Sequence, residues 1–415
     1  MLEPNEPRMR LLFVVSSMEV GGPQKSLLGL LERLDTRRYE VSLLVLDPFK
    51  NSLLPFVARQ VALIETPDVI TAATLPKGRM VWALRCLLSH LIREGHPRLA
   101  LSMPLMLVRA ALAREAGQRV RQRVWACIGH ALPKVDGAFQ AAVGILGLST
   151  YAVVDLVAAD HKYHWVRSDS RILGRDESIE ARYFAELDGA LSVSTTCEDV
   201  FVEMYPQMIG RTRVYKNDIP TTLAPTLVQW PSAGAGSTKV LTVNRLDPLK
   251  GLDLAIAACA LLTARGVDVS WLVLGDGPER RALEERVAAV RQVGRFTFGG
   301  TVFDTTPFLD QADVYVHPSR TEGRSNAVEE ARARGKAILA TRYATVGDQI
   351  ADGTDGLVCD LDSVSLADAI ERLAGDPRLR SDLGAAAAAA YADERDDPNW
   401  LFEHLVDGVV PQGSS

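Results

Sequence analysis

Short runs of apolar residues alternate along the chain with stretches in which apolar residues recur every three or four positions. The first run, residues 11–15, precedes a turn at Gly21 and Gly22 and an apolar helical face from Leu27 to Leu34. An uncharged run of this length predicts a buried strand, and the spacing after it predicts an amphipathic helix. The chain is therefore predicted to open with a βα unit.

The second half of the chain repeats this order from Val240. The stretch "VLTV" predicts a strand and "GLDLAIAACALL" a helix, and the alternation continues through "GLVCDLDSVSLADAIERLAG". Strands separated by helices imply right-handed parallel crossovers, and these build a doubly wound sheet. We therefore predict an α/β protein with such a sheet in each half.

The length and composition support two domains. With 415 residues, of which 47% are apolar, the chain can bury two separate cores. Residues 221–237 are rich in Pro, Gly, Ser and Thr and have no apolar period, which predicts a linker. We expect an N-terminal domain over 1–220 and a C-terminal domain over 238–390. Residues 391–415 are expected to form a helix or tail, and one path for it is back to the N-terminal domain.

Charge and cysteine usage exclude several classes of protein. The net charge of −6 argues against a general nucleic-acid binder. The five cysteines are odd in number, scattered and never in a CxxC pair, which predicts reduced thiols and neither disulfides nor a zinc site. We also expect no signal peptide and no membrane span, and hence a cytoplasmic location.

An arginine, a lysine and a glycine occupy the joint between the strand and the helix at Val240. Open parallel sheets bind ligands at the carboxyl ends of their strands. Arg245 and Lys250 lie at such an end, where two cations beside the N–H groups of the next helix favour a bound diphosphate. The alternative is an ordinary solvated turn, which any lone Arg–Lys pair permits.

Two glutamates follow the strand predicted at residues 314–316. A helix is predicted from Ser325 or Asn326, both good N-cap residues, so Glu322 belongs to the loop and Glu330 to the helix. The two carboxylates can face one cavity, one reaching a sugar ring and the other binding a ribose diol. The alternative for Glu330 is a solvent-facing helix residue, as for the glutamate before it.

In order and spacing, these segments resemble the retaining GT-B glycosyltransferases of family GT4, also called glycosyltransferase group 1. The resemblance is closer in the C-terminal half, although Asn217 of "NDIP" and the Gly21–Gly22 turn also match the family. Five motifs in the correct order are more specific than any one alone. They are Arg245 with Lys250 and Gly251, Gly275 to Pro278, Phe298 with Gly300, Pro318 with Ser319, and Glu322 with Glu330.

The resemblance implies a GT-B fold, in which two Rossmann-like, doubly wound domains face each other across a cleft. It implies that the C-terminal domain holds a nucleotide-diphosphate sugar, either a UDP- or a GDP-sugar, and that the N-terminal domain holds the acceptor. A glycan or lipid-linked acceptor and a role in bacterial surface-polysaccharide biosynthesis follow from the same resemblance. No cofactor other than this donor, and no nucleic acid, is expected.

The resemblance also assigns roles to residues. Arg245 and Lys250 match the pair that holds the donor diphosphate, Glu330 matches the ribose-binding carboxylate, and Glu322 matches the group that holds the donor sugar. The segment "TVGDQI", Thr345 to Ile350, replaces the commoner glycine pair of the family, a variant that resembles members building bacterial surface polysaccharides. The resemblance also implies that its Thr345 lies near the diphosphate. The remaining residues expected to bind the donor are Gly21, Gly22, Gly277, Gly323, Ser325 and Asn326.

One segment departs from the family pattern. In "HKYHWVRSD", Asp169 matches a family aspartate and completes the expected catalytic set with Arg245, Lys250 and Glu322, but Arg167 stands where the family commonly has histidine. His161 and His164 lie nearby, so a shifted alignment is an alternative, and so is a surface imidazole on a strand. This departure leaves the identity of the donor sugar open.

The expected chemistry requires no metal. Cations and oriented N–H groups at the phosphates stabilise the charge of the departing diphosphate. No covalent nucleophile is evident, so retention is assigned to same-face attack, with a phosphate oxygen accepting the acceptor's proton, as the resemblance implies. The DxD at Asp360 and Asp362 lies between a predicted strand and helix and is interpreted as turn and capping residues.

Residues 77–123 combine many arginines with regularly spaced apolar residues. Cationic amphipathic helices can lie on anionic lipid, which predicts contact with the cytoplasmic face of an inner membrane. The alternative is that the apolar stripe packs on the domain core while the cations are solvated. Against Glu94 and Glu115, the basic residues are Lys77, Arg79, Arg85, Arg93, Arg98, Arg109, Arg114, Arg119, Arg121 and Arg123.

Other functions remain open from the sequence. They are a glycosyltransferase acting on a small-molecule acceptor of secondary metabolism, a GT-B sugar-nucleotide epimerase, and a non-catalytic protein that binds sugar nucleotides. A nicotinamide dehydrogenase ranks lower, because "GGPQKS" and "GDGPER" both fail the GxGxxG spacing.

Overall fold

The structure is a computed structural model that describes residues 7–113, 117–223, 230 and 236–412. It forms two compact units. Unit 1 comprises Met1–Tyr215 and Asp396–Ser415, and unit 2 comprises Lys216–Arg395. Most of the predicted linker, 221–237, lies outside the described residues. The chain therefore returns to unit 1 for its last residues.

Unit 1 contains a sheet of seven parallel strands among its described residues, in the order β3-β2-β1-β4-β5-β6-β7. The strands are β1 Met9–Val15, β2 Tyr39–Val45, β3 Ala62–Ile64, β4 Ala138–Ile145, β5 Ala158–Val166, β6 Gly189–Ser192 and β7 Thr212–Val214. The first eight helices are α1 Gly22–Arg33, α2 Asp68–Ala73, α3 Met80–Arg93, α4 Pro97–Leu112, α5 Gly117–Ile128, α6 Leu148–Leu156, α7 Glu177–Ala185 and α8 Thr195–Met204.

The core of unit 1 follows the predicted pattern. Residues 11–15 of β1 are buried, and the apolar face that runs from Leu27 of α1 to its C-cap, Leu34, is buried with them. The strand and the amphipathic helix predicted at the start of the chain are therefore confirmed, with β1 two residues longer at its start.

Unit 2 contains a sheet of six parallel strands among its described residues, in the order β10-β9-β8-β11-β12-β13. The strands are β8 Thr238–Val243, β9 Val269–Leu274, β10 Phe296–Gly300, β11 Val314–His317, β12 Ala337–Thr341 and β13 Leu357–Cys359. The helices are α9 Leu252–Ala264, α10 Arg280–Ala289, α11 Thr306–Gln311, α12 Asn326–Ala333, α13 Ser363–Gly375 and α14 Pro377–Asp393.

The strand order of unit 2 fixes where a ligand can bind. β9 and β10 lie on one side of β8, and β11 to β13 lie on the other, so the direction of winding reverses between β8 and β11. At such a switch point the loops after the two strands diverge and leave a crevice at the carboxyl edge of the sheet. The loops after β8 and β11 carry the predicted diphosphate and sugar residues.

The last helix, α15 Pro398–Leu405, packs within unit 1. Phe402 lies edge-on to Phe13 of β1, with 5.5 Å between ring centroids. The hydroxyl of Tyr163 donates to the carbonyl of Leu405 at 2.7 Å. Apolar and hydrogen-bonded contacts thus attach the end of the described chain to the first sheet.

Candidate functional site

The loop after β8 carries Arg245 and Lys250 and ends in a short 3₁₀ turn, Pro248–Lys250. Gly251 follows with φ of 63°, a left-handed conformation that favours glycine. A Cβ there would lie 1.9 Å from the carbonyl oxygen of Pro318, in the loop after β11. The predicted glycine therefore lets the two loops touch.

The loop after β9 supports the loop that bears Arg245. The amide of Leu246 donates to the carbonyl of Asp276 at 3.1 Å. A Cβ on Gly277 would lie 2.2 Å from the carbonyl oxygen of Leu246. Gly277, predicted to bind the donor, thus has a packing role of its own, because only glycine lets the two backbones approach so closely.

Three donors from separate segments converge on one oxygen of Glu322. Its Oε1 lies 2.8 Å from Nζ of Lys250, 2.8 Å from Nε2 of His317 and 2.7 Å from Oγ of Ser319. Because an ionised carboxylate only accepts hydrogen bonds, Nε2 is the donor, and Nδ1 of His317 lies 3.1 Å from the Tyr315 hydroxyl. Hydrogen bonds to Glu322 therefore join the loop after β8 to the end of β11 and to the loop that follows β11.

The electrostatics of Glu322 follow from these contacts. Burial raises the pKa of the carboxyl, but the charge of Lys250 and the hydrogen bond from His317 outweigh burial and lower it to about 2. The side chains of Lys250 and Glu322 are 20% and 11% exposed. Lys250 therefore does not fit the alternative of an ordinary solvated turn residue.

Arg245 differs from Lys250. Its side chain is 69% exposed, and its guanidinium lies 3.6 Å from a carboxylate oxygen of Asp247. A long, solvated guanidinium at the carboxyl edge of the sheet can move toward an arriving anion with little desolvation cost. Of the two residues predicted to bind the diphosphate, Arg245 is therefore an exposed cation, and Lys250 is a half-buried cation paired with Glu322.

The N-terminus of α12 lies directly after Glu322 and Gly323. Ser325 is its N-cap, with Oγ accepting from the amide of Val328 at 3.4 Å, so the predicted start of this helix is confirmed. Gln349 holds Ser325 from outside, accepting from its amide at 2.7 Å and donating to its carbonyl at 3.0 Å. These contacts fix a helix N-terminus, which favours negative charge. It lies beside the Glu322 cluster, which is Glu322 with its three donors Lys250, His317 and Ser319.

Asn326, predicted to bind the donor, is buried and engaged within unit 2. Its Oδ1 accepts from Nδ2 of Asn217 at 2.5 Å, and the same amide group donates to the carbonyl of Arg324 at 3.0 Å. The segment that enters unit 2 is therefore hydrogen-bonded to the first turn of α12.

Glu330 is buried and accepts a 2.6 Å hydrogen bond from Oγ1 of Thr305. Its neighbour Glu329 is only 1% exposed. The alternative that these glutamates face solvent is therefore wrong, because α12 is buried on both of these faces. Thr345 is also buried, and its hydroxyl donates to the carbonyl of Glu322 at 3.1 Å, next to the cluster.

A buried cluster of ion pairs stabilises α12 and the loop before it. Arg324 contacts Glu329 at 2.7 Å and Glu394 at 3.2 Å. Arg332 contacts the same two carboxylates, at 3.1 Å and 2.7 Å. Buried charges of this kind are stable only when each is paired, and here two guanidinium groups share two carboxylates. The cluster holds the helix whose N-terminus forms the candidate site.

The remaining predicted residues belong to unit 1. Gly21 is the N-cap of α1 and Gly22 its first residue. Asp169 caps a short 3₁₀ turn and accepts from the backbone amide and the guanidinium of Arg171, at 2.9 Å and 2.8 Å. The hydrogen bond from that guanidinium is the main cause that lowers the pKa of Asp169. The roles assigned to these three residues stay predictions.

The segment with the unexpected arginine is mostly buried. Arg167 lies 4.7 Å from the ring of Trp165, and its guanidinium is 3.3 Å from Oγ of Ser26. His164 bonds Oγ1 of Thr150 at 2.6 Å, and burial is the main cause that lowers its pKa to about 3. The surface-imidazole alternative is therefore wrong for His164, whereas His161 is half-buried.

The DxD segment forms a helix cap. Asp362 is the N-cap of α13 and accepts from the amides of Val364 and Ser365 at 2.8 Å and 2.9 Å. Asp360 lies 3.5 Å from Arg342 on the surface. The capping interpretation of Asp362 is confirmed, and metal-independent transfer stays a prediction.

His317 and Ser319 were not predicted as site residues, although both contact Glu322. The sequence carried a signal for them, because a histidine and a hydroxyl residue stand five and three positions before a loop carboxylate. Gln349 and Glu394 left no such signal, since their side-chain contacts to Glu329 and Arg332 join segments at least 20 residues apart.

Together, the two parallel sheets and the switch-point site define a protein of the GT-B class. Solved structures share this fold over almost the whole chain. Alr3699/HepE of Anabaena, solved with UDP and glucose, matches with a TM-score of 0.66 at 15% identity, covering 97% of this chain and 100% of that one. Sucrose-phosphate synthase of Thermosynechococcus elongatus matches with a TM-score of 0.63 at 18% identity and 96% coverage of both chains.

The C-terminal part matches a sequence family. Residues 237–376 match the model of the family described as glycosyl transferases group 1. Alpha-D-kanosaminyltransferase of Streptomyces kanamyceticus is 34% identical over 154 residues, which are 36% of this chain and 39% of that protein. The lipopolysaccharide core biosynthesis glycosyltransferase LpsE of Rhizobium meliloti is 36% identical over 150 residues, which are 36% of this chain and 43% of that protein. The matches thus span about two fifths of these relatives.

Proposed function

We propose that this chain is a retaining glycosyltransferase that moves a sugar from a UDP- or GDP-sugar to a glycan or lipid-linked acceptor in bacterial surface-polysaccharide biosynthesis. The observation that carries the proposal is the Glu322 cluster. It joins the loops after β8 and β11 at the switch point, in the unit that matches the group 1 family. The similarity to a lipopolysaccharide core glycosyltransferase supports the choice of acceptor class.

The arrangement suits cleavage of a bond to a diphosphate. As the anomeric C–O bond breaks, positive charge develops on the sugar and negative charge on the departing diphosphate. Arg245, Lys250 and the N-terminus of α12 supply positive potential for the diphosphate, and this stabilises the transition state more than the ground state. Glu322 is ionised and held in place, so it can accept a hydrogen bond from a sugar hydroxyl, while Glu330 is assigned to the ribose.

Retention is assigned to attack from the face that the diphosphate leaves. The acceptor oxygen forms the new bond to the anomeric carbon, and its proton passes to the leaving phosphate oxygen. This step requires no protein nucleophile and no metal, because the cations and the helix N-terminus balance the phosphate charge. Unit 1 is assigned to the acceptor, and residues 77–123 to contact with the cytoplasmic face of an inner membrane.

The experiment begins with donor selection. UDP- and GDP-sugars are screened for thermal stabilisation, since a ligand at 100 times its Kd adds about 2.7 kcal/mol of stability. The best donor is then incubated with lipid-linked and glycan acceptors, and free nucleoside diphosphate, labelled product and the anomeric configuration of the product are measured.

The results distinguish the alternatives. A glycosylated acceptor with the donor's anomeric configuration supports the proposal, whereas inversion contradicts the retaining step. An epimerised donor indicates an epimerase, and binding without turnover indicates a non-catalytic sugar-nucleotide binding protein. Transfer only to small-molecule acceptors favours a role in secondary metabolism, an alternative supported by the similarity to a kanosaminyltransferase.

A further inference from the structure

Helix α4 of unit 1 is buried on one face and exposes apolar side chains on the opposite face. Its buried residues are Ala100, Met103 and Ala110. The exposed apolar residues are spaced by four, three and four positions, so they form one stripe along the helix. This α4 stripe consists of Leu101 at 79% exposure, Leu105 at 52%, Val108 at 55% and Leu112 at 79%.

The charged residues of α4 itself have a single sign. Arg98 and Arg109 flank the stripe on the helix surface, and α4 contains no acidic residue. Residues 77–123 carry ten basic residues against two acidic ones, whereas the rest of the chain has 36 basic and 50 acidic residues (46 less 10, and 52 less 2). Arg114 and Glu115 of this segment lie outside the described residues. The apolar stripe thus lies in the basic part of an acidic protein.

From this geometry we propose that the α4 stripe inserts into the headgroup region of an anionic lipid surface, with Arg98 and Arg109 contacting lipid phosphates. A helix with exposed leucines, flanking arginines and no acidic residue has the character of an interfacial helix. Each arginine near an anionic bilayer adds attraction. Among the described residues, none of the helices has the length and hydropathy of a membrane span. The lipid contact itself does not depend on the proposed function. Only its biological use, which is access to a lipid-linked acceptor, rests on that function.

Residues 77–123 had two alternative interpretations, contact with lipid and packing on the domain core. In the structure, each interpretation applies to a different helix of the segment. Leu87 and Leu91 of α3 pack into the core, as the core-packing alternative predicts. The α4 stripe does not pack into the core. A second copy of the chain is a poorer occupant, since pairing two such stripes would bring arginines of both copies together without a carboxylate on either α4 helix.

The test measures sedimentation of the full chain with vesicles, without donor or acceptor. Vesicles of neutral phosphatidylcholine are compared with vesicles that also contain about 30% anionic phosphatidylglycerol, at low and at high salt. We expect binding to the anionic vesicles that weakens at high salt. Leu101→Ser combined with Leu105→Ser should lower the bound fraction about tenfold, because two leucines lose their apolar contact. Arg98→Gln combined with Arg109→Gln should also lower it and reduce its salt dependence.

Matched controls use residues outside the segment. Ile209→Ser replaces an apolar side chain that is 66% exposed elsewhere in unit 1, and Arg378→Gln replaces an arginine whose side chain is 92% exposed in unit 2. Both should bind vesicles like the parent. Thermal unfolding and stabilisation by UDP are measured on every variant, which separates a failure to fold or to bind donor from a loss of membrane contact.

Three results would overturn the proposal. One is equal binding to neutral and anionic vesicles, and another is parental binding by the folded leucine variant. The third is a change from dimer to monomer in the leucine variant with vesicle binding unchanged, which would assign the stripe to self-association. A protein that binds vesicles but transfers no sugar would instead contradict the proposed function and leave this inference standing.

Discussion

Replacement of Lys250 by alanine tests the centre of the candidate site. Lys250 and Glu322 form a contact of 2.8 Å with both side chains largely buried. The depression of the Glu322 pKa from 4.5 to about 2 corresponds to about 3 kcal/mol of preference for the ionised form in the folded state. Lys250 shares that effect with His317, which remains in the variant. We therefore expect Lys250→Ala to lower the free energy of unfolding by about 1–2 kcal/mol at pH 7.

The same change should affect catalysis more strongly than stability. If Lys250 stabilises charge on the leaving diphosphate, its loss lowers kcat/KM by about 10²–10³-fold, with kcat falling as well as donor affinity. Lys250→Arg should rescue only part of the rate, because a planar guanidinium does not replace a compact ammonium. Lys50→Ala is a matched control, since it breaks an exposed pair with Glu19 at 3.5 Å and should change the free energy of unfolding by less than about 1 kcal/mol.

The pH dependence gives an independent measurement. A carboxyl whose pKa is lowered on folding adds stability above its unfolded pKa, and this stability is lost as the pH falls through the folded value. The stability advantage of the parent over Lys250→Ala should therefore shrink between pH 4.5 and about 2. Chemical denaturation at several pH values and steady-state kinetics are the assays. A folded Lys250→Ala variant that transfers sugar at the parental rate would refute the assigned role and leave Lys250 as a structural partner of Glu322.

Three further predictions concern metal, backbone and capping. Transfer should survive EDTA, and activity that disappears on chelation and returns with Mg²⁺ or Mn²⁺ would overturn the metal-free mechanism. Gly251→Ala, with a Cβ 1.9 Å from the oxygen of Pro318, should cost about 2–4 kcal/mol in chemical denaturation. Gly353→Ala, at φ of 75° with no atom within 4 Å of the Cβ, should cost only about 1 kcal/mol, and equal costs would contradict the steric argument. Asp362→Ala should lower the free energy of unfolding by about 1 kcal/mol, because the helix cap is lost, and should leave kcat unchanged. A large fall in kcat would instead indicate that Asp362 acts in the site.

Local patterns predicted much of the secondary structure and the segments of the site. The buried run of β1 and the N-cap at Ser325 depend on residues close in sequence, so single segments were sufficient to place them. The sequence also placed Lys250 and Glu322 in loops at strand ends, because parallel strands present their carboxyl ends at one edge.

The contacts within the site required the tertiary structure. Lys250 and Glu322 are 72 residues apart, and no local pattern indicates that they share a hydrogen bond. Glu329 and Glu330 are adjacent on a short helix with charged neighbours, which left a solvent-facing alternative open, yet other segments cover both. On α4, apolar residues at helical spacing occur on two faces, and only the fold shows which face is covered.

The buried ion cluster behind α12 determines where unit 2 can be cut from the chain. Glu394, the partner of both Arg324 and Arg332, is the second-last residue of this unit. A fragment ending at residue 390 would leave two guanidinium groups buried without this carboxylate, although every strand of the sheet would be present. A fragment from Lys216 to Arg395 would keep both Glu394 and the Asn217 contact to α12. The smallest fragment of unit 2 that keeps these contacts is therefore set by ion pairing and hydrogen bonding at its chain ends and extends beyond the residues of its sheet.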